Sequence, residues 1–251
     1  GNEGGREGLT PVEMRRMFGD SVCAAIEGDS CLLTPAADQW MQEQNQGMDG
    51  GHCEGFAVLS HLLYGGDVQA QNFGGDAAAQ LAIDDNQPLQ HEIAYWFVTQ
   101  ATVPASDEVI KGTPNDIVDI LIRDLPGGER YVLGIYKRDG SGGHAITPFA
   151  VEDRGGGIFW ILVYDNNYPT LTRAVEVDRN ANTWKYSGST NPEVPEDEYE
   201  GDADSQSLDL APISPRLQQQ ACTFCEQQAG MAGGKLAAPG QEFNEIYLDG
   251  E

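Results

Sequence analysis

The sequence predicts an α+β protein, with helices in its first half and strands in its second. Between residues 9 and 124, apolar residues recur at helical spacing behind capping residues and prolines. From 131 to 186, short apolar and β-branched runs are separated by glycine and Asp/Asn turns. A chain of 251 residues can bury a large core, as one domain or as two halves folded around a cleft. The expected layout is one domain over residues 1–251, with a mainly helical lobe (1–125) and a mainly β lobe (126–251).

Taken in order, residues 9–27 read as a helix, with Thr10 as cap, Pro11 in the first turn and Glu13 behind it. A second helix is expected from Pro35 to Gln46, and a third begins at Cys53. After the acidic connector Asp84-Asp85-Asn86, a helix over Gln90 to Thr99 contributes Ile93, Tyr95, Trp96 and Phe97 to the core. Thr113 to Asp124 reads as another helix, with Ile117, Ile120 and Leu121 on one face. Strands are expected at Tyr131 to Tyr136, His144 to Glu152, Ile158 to Tyr164, Thr172 to Val177 and Thr183 to Tyr186. Residues 187–215 lack periodicity and are dense in acid and proline, which predicts a long acidic surface loop.

Chemistry concentrates at three places. In Gly50-Gly51-His52-Cys53-Glu54-Gly55-Phe56, a glycine pair stops what precedes it and the following Phe56, Leu59, Leu62 and Leu63 repeat helically. Cys53 therefore falls in the first turn of a buried helix, where unpaired N–H groups and the helix dipole favour a thiolate. A cysteine in that place can equally be a small buried hydrophobe. Downstream, Gly140-Ser141-Gly142-Gly143-His144 sets a histidine at the opening of a strand, directly after a glycine loop. The apolar strand Ile158 to Tyr164 then ends in Asp165-Asn166-Asn167, which puts a carboxylate or amide one hairpin away from the imidazole.

This order of Cys, distant His and Asp/Asn on the next strand resembles the papain-like cysteine peptidase superfamily, closest to its bacterial and archaeal members in which Asp replaces the papain Asn. The resemblance covers about residues 45 to 64, 140 to 151 and 158 to 169, and the tryptophan-bearing cysteine signature of papains is absent. It implies a papain-like fold, with the cysteine helix of one lobe facing the histidine sheet of the other. It also implies Cys53 as nucleophile, His144 as general base and acid, and Asp165 as the group that orients His144, with Asn166 and Asn167 as alternatives for that last role. A side-chain amide upstream of the cysteine completes an oxyanion site in this superfamily, and Gln46 or Asn45 stands at that place. His52 adjoins the cysteine but points away from it in sequence, and His61 and His91 read as partly exposed surface groups.

The remaining cysteines are Cys23, Cys31, Cys222 and Cys225. One CxxC and a pair eight apart make a weak four-thiolate zinc candidate, and disulfides or free thiols are favoured over it. No cofactor is expected.

Forty acidic residues against fourteen basic ones give a net charge of −26, with only Lys111, Lys137, Lys185 and Lys235 as lysines. Such a field repels nucleic-acid phosphates and anionic membranes. It suits either a secreted protein or a high-salt cytoplasm. The acidic tract from Glu193 to Asp209 lacks the residue order of a calcium loop. No run of eighteen apolar residues exists, Gly1 to Gly5 is neither basic nor hydrophobic, and a soluble chain without its signal peptide or propeptide is expected. The implied function is hydrolysis of a polypeptide substrate. Transglutaminase-like acyl transfer and glutamine deamidation share the same thioester chemistry, and a non-catalytic binding module is the third alternative. The sequence carries no indication of oligomeric state.

Overall fold

The computed structural model describes residues 7–189 and 195–225. Helix α1 (Pro11–Phe18) starts as expected, with Thr10 and Glu13 forming a reciprocal capping box. It is much shorter than residues 9–27, because Gly19 takes φ 78° and turns the chain. The remainder forms a hairpin of β1 (Cys23–Glu27) and β2 (Ser30–Leu33), cross-linked by the Cys23–Cys31 disulfide. Thr34 caps α2 (Pro35–Gly47), and Gly51, at φ 137°, precedes α3 (Cys53–Gly65). Helix α4 (Gln87–Val98) is capped by Asn86, and α5 (Pro114–Asp124) by a second capping box between Thr113 and Asp116.

Helix α3 lies against α4 at a distance that only glycine permits. A Cβ placed on Gly55 would stand 2.1 Å from the backbone oxygen of Ile93. This close seating buries Ala57, Val58, Leu59 and Leu62 of α3 with Leu89, Ile93 and Ala94 of α4. It also buries His61, whose Nε2 lies 2.8 Å from the Tyr131 carbonyl oxygen, so the surface placement expected for His61 is incorrect. The helix is packed on two sides, and burial lowers the His61 pKa to about 4. His91 is half-buried, with Nδ1 2.7 Å from the Gly8 carbonyl oxygen.

The second layer is an eight-stranded antiparallel sheet formed by β3 (Ile110–Lys111), β4 (Tyr131–Tyr136), β5 (Gly143–Gly155), β6 (Ile158–Tyr164), β7 (Thr172–Asp178), β8 (Thr183–Gly188), β9 (Asp197–Asp202) and β10 (Leu208–Pro212). Its strand order is β3-β10-β4-β5-β6-β7-β8-β9. The molecule is thus α+β. Val132, Ala145 and Ala211 face the helices, whereas Leu133, Ile135 and Ile146 join a second core with α5, Trp184, Tyr186 and Tyr199. Helix α5 therefore packs with the sheet, so packing does not divide the chain at residue 125. Ion pairs from Lys137 to Asp197 and from Arg138 to Asp202 tie the end of β4 to the far edge strand β9.

The long loop expected over residues 187–215 is a correction. Residues 190–194 lie outside the described residues, but β8 runs to Gly188, β9 follows, and β10 occupies an interior position of the sheet between β3 and β4. Leu208 and Leu210 alternate with Asp209, too briefly and among too many acids to register as a strand. In β9, Tyr199 and Gly201 point inward opposite Tyr186 and Trp184.

Candidate active site

The N-terminus of α3, the start of β5 and the end of β6 meet at one point. Cys53 is the first residue of α3, and it is half-buried and outside any disulfide. The His52 side chain does not cap the first-turn amides of α3. The His52 ring instead lies 5.7 Å from that of Phe97, on the α4 side. Along β5, residues alternate in facing: Thr147 reaches α3, its hydroxyl donating to the Ala57 carbonyl at 3.3 Å, whereas His144 shares a side with Ile135 and Ile146.

His144 Nε2 donates to Asp165 Oδ1 at 2.9 Å, with both side chains buried. The same oxygen accepts the backbone N–H of Asn167 at 2.9 Å, and Oδ2 accepts the Tyr186 hydroxyl at 2.5 Å. Three donors thus hold one carboxylate. Burial works against the Asp165 anion, but the His144, Tyr186 and Asn167 hydrogen bonds outweigh it and keep the carboxyl below its ordinary range. The other ring nitrogen of His144, Nδ1, is buried and lacks a hydrogen bond of standard geometry. Cys53 nonetheless lies near enough to act on the imidazole. Burial would lower the His144 pKa, yet Asp165 and Cys53 together raise it to about 9. A loose sulfur–imidazole contact of this kind is common in sites without substrate.

The other residues singled out from the sequence fall elsewhere. Asn166 donates to the side chain of Asn167, and Asn167 donates to the Ser189 carbonyl, so neither amide holds His144. Asn45 is spent on the N-terminal segment, its Oδ1 accepting from Leu9 N at 2.7 Å and its Nδ2 donating to Leu9 O at 3.0 Å. Gln46 is exposed near the end of α2. The four-thiolate zinc candidate is a further correction: Cys23 pairs with Cys31 and Cys222 with Cys225, which leaves no free thiol among them.

Three features of the neighbourhood were not singled out from the sequence. Tyr186 braces Asp165 from β8. Glu54, beside the cysteine, forms a buried ion pair with Arg216, which also donates to Thr99 Oγ1 at 2.8 Å. Burial and the charge of Asp209 push the Glu54 carboxyl up, against the pull of Arg216. Tyr136, at the end of β4, donates to Asp209 Oδ2 at 3.0 Å. Each contact joins residues more than twenty apart in sequence, which no local pattern encodes.

A hollow of about 520 Å³ lies away from this point, between Arg16, Leu62, Trp96, Arg216 and Leu217. Cys53, His144 and Asp165 do not line it. Among the described residues no helix is long and apolar enough to cross a membrane. Searches of protein-family models, curated proteins and solved structures give no match to this chain.

Proposed function

We propose that the chain is a cysteine peptidase of papain-like arrangement, in which a helix-borne thiol from one layer meets a histidine and an aspartate carried by an antiparallel sheet. The observation that supports this reading most directly is the pairing of His144 with a triply held Asp165, together with the action of Cys53 on the same imidazole. A core histidine needs no such arrangement; a catalytic base does.

In this reading the Cys53 sulfur attacks the carbonyl carbon of a peptide bond, and the His144 imidazolium gives its proton to the departing amine as the C–N bond breaks. Water then attacks the thioester. His144 takes a proton from that water, the C–S bond breaks, and an acid product and the free thiol result. Asp165 keeps the ring oriented and stabilises the imidazolium throughout. In this reading the first-turn amides of α3, Cys53 N–H among them, receive the carbonyl oxygen as it gains charge. An extended polypeptide is the proposed substrate, and the acidic surface favours basic segments over nucleic acid.

Wild type and Cys53→Ala are to be incubated with an unfolded protein mixture and the products sequenced for new termini. New termini with the wild type alone are expected. Cross-linked or deamidated products without new termini would move the chemistry to acyl transfer or deamidation, and no covalent change in either sample would leave a binding module.

A further inference from the structure

Thioester chemistry at Cys53 needs a second donor for the oxyanion besides the α3 amides, and the two upstream amides do not provide one: Asn45 is committed to Leu9, and Gln46 stands exposed on α2. A different group is built into the other side of the site. Tyr136 is the last residue of β4 and pairs with Gly143, the residue before His144. Its ring lies across the bare backbone of that glycine, where an added Cβ would come within 2.6 Å of Cδ1 and 3.0 Å of Cε1. Its hydroxyl lies against a second glycine. A Cβ on Gly134 would stand 2.8 Å from the phenol oxygen and 2.2 Å from Asp209 Oδ1.

Two glycines, one inside β4 and one at the start of β5, thus make room for one tyrosine and the carboxyl behind it. The carboxyl is buried, at 8% exposure, whereas the tyrosine is 40% exposed and open to a substrate. The register also sets which end of the cysteine helix Tyr136 flanks. Tyr136, Gly143, Ala145 and Thr147 share the face of the sheet that meets α3, and Thr147 touches Ala57, one turn inside that helix. Gly143 lies four strand residues, about 13 Å, from Thr147, at the end of β5 that carries His144.

We propose that the Tyr136 hydroxyl donates a hydrogen bond to the oxyanion formed when Cys53 attacks a carbonyl, and that Asp209 is the positioning residue that holds it there. The inference rests on the thioester reading of the site. No bond to Tyr136 forms or breaks. Its O–H turns from Asp209 to the oxyanion, while the ring stays seated on Gly143. The surroundings suit this arrangement. Burial raises the Asp209 pKa against the Tyr136 hydrogen bond and the charges of Lys111 and Arg216. Burial, Asp209, Glu54 and Cys53 all push the Tyr136 pKa up, so the phenol keeps its proton.

The test uses p-nitrophenyl acetate, whose burst of p-nitrophenolate reports acylation of Cys53, and iodoacetamide, whose alkylation of the same sulfur develops no oxyanion. Tyr136→Phe is expected to slow the burst by about 10²-fold, the usual effect of losing one oxyanion donor. Its alkylation rate should stay at the wild-type value, which shows that the site is intact. Asp209→Ala should slow the burst in the same direction, and the double variant should be no slower than Tyr136→Phe alone, because Asp209 acts through Tyr136. Should Asp209→Ala not fold, Tyr136→Phe and its alkylation control decide alone. A wild-type burst that Tyr136→Phe matches in rate overturns the inference and leaves the thioester reading standing. Absence of any burst in the wild type that Cys53→Ala abolishes overturns both.

Discussion

A carboxylate with three donors makes the imidazole it holds titrate late, and at the scale of single residues this sets the pH behaviour of the site. The His144 pKa of about 9 lies above the ordinary 6.5. Protonation of His144 therefore contributes stability that is fully present below pH 6.5 and is lost as pH rises through about 9. The same titration removes the proton that the leaving amine requires, so kcat/KM should fall along an alkaline limb near pH 9. In Asp165→Asn the limb should move toward neutral pH, and a limb that stays in place would mean that Asp165 does not set the His144 charge. Tyr186→Phe removes the 2.5 Å bond to Asp165 Oδ2 while keeping the ring. A hydrogen bond to a charged group contributes about 1.5–3 kcal/mol, so a fall in kcat of roughly ten-fold or more with little change in KM is expected. Steady-state kinetics on Tyr186→Phe that match the wild type would leave that bond without a role. Cys53, His144 and Asp165 are legible in the sequence because each stands at the edge of a strongly patterned segment: a glycine pair before a helix, a glycine loop before a strand, and the end of an apolar run. Tyr186 and Arg216 carry no such local mark. Tyr186 alternates like any inward strand residue, and its hydroxyl finds Asp165 only through the pairing of β6, β7 and β8.

At the scale of elements, the position of the cysteine depends on how closely α3 meets α4. Gly55 allows the Ile93 carbonyl to approach where any Cβ would collide with backbone, which cannot rotate aside as a side chain can. Overpacking a tight contact costs about 1–3 kcal/mol, and each kcal/mol lowers the melting temperature of a domain this size by about 2–4 °C. Gly55→Ala should therefore melt several degrees below the wild type and, because α3 carries Cys53, should also change the rate of Cys53 alkylation. Unchanged melting and alkylation would show that the helices can part without consequence. Helices with proline and Thr or Asn starts, such as α2, α4 and α5, were readable from sequence within a few residues, as were the strands β4 to β8. The misread elements share a physical cause. β1 and β2 are short and largely exposed, held by one another and by a disulfide, and so lack an apolar face to show. β10 is buried on both sides, but it is five residues long and enters the sheet beside a strand about seventy-five residues earlier, a pairing that no local pattern encodes.

For the whole molecule, charge dominates. Among the described residues, the arginines and lysines other than Lys111 are already engaged with carboxylates, many of them at the surface. Among the described residues only Lys111 is left to meet the excess acid behind the net charge of −26, whose mutual repulsion is spread over the surface. Two opposing effects follow when salt is added. Exposed ion pairs such as Arg154–Glu152 are screened and weaken, but each contributes only about 0–1 kcal/mol. Repulsion is long-ranged by comparison, since the Debye length falls from about 30 Å at 0.01 M to about 3 Å at 1 M, and screening relieves every like-charged pair at once. The second effect should win, so the melting temperature is expected to rise with sodium chloride over that range, and most steeply at its lower end. Following the transition by circular dichroism at constant pH checks this. The rise should approach a plateau once the screening length is shorter than the spacing of surface carboxylates, whereas a preferential-exclusion effect of salt would keep growing at high concentration. A melting temperature that stays flat or falls from the lowest salt upward would mean that bound cations already neutralise the acidic surface, or that the ion pairs tying β4 to β9 matter more to the fold than the repulsion around them.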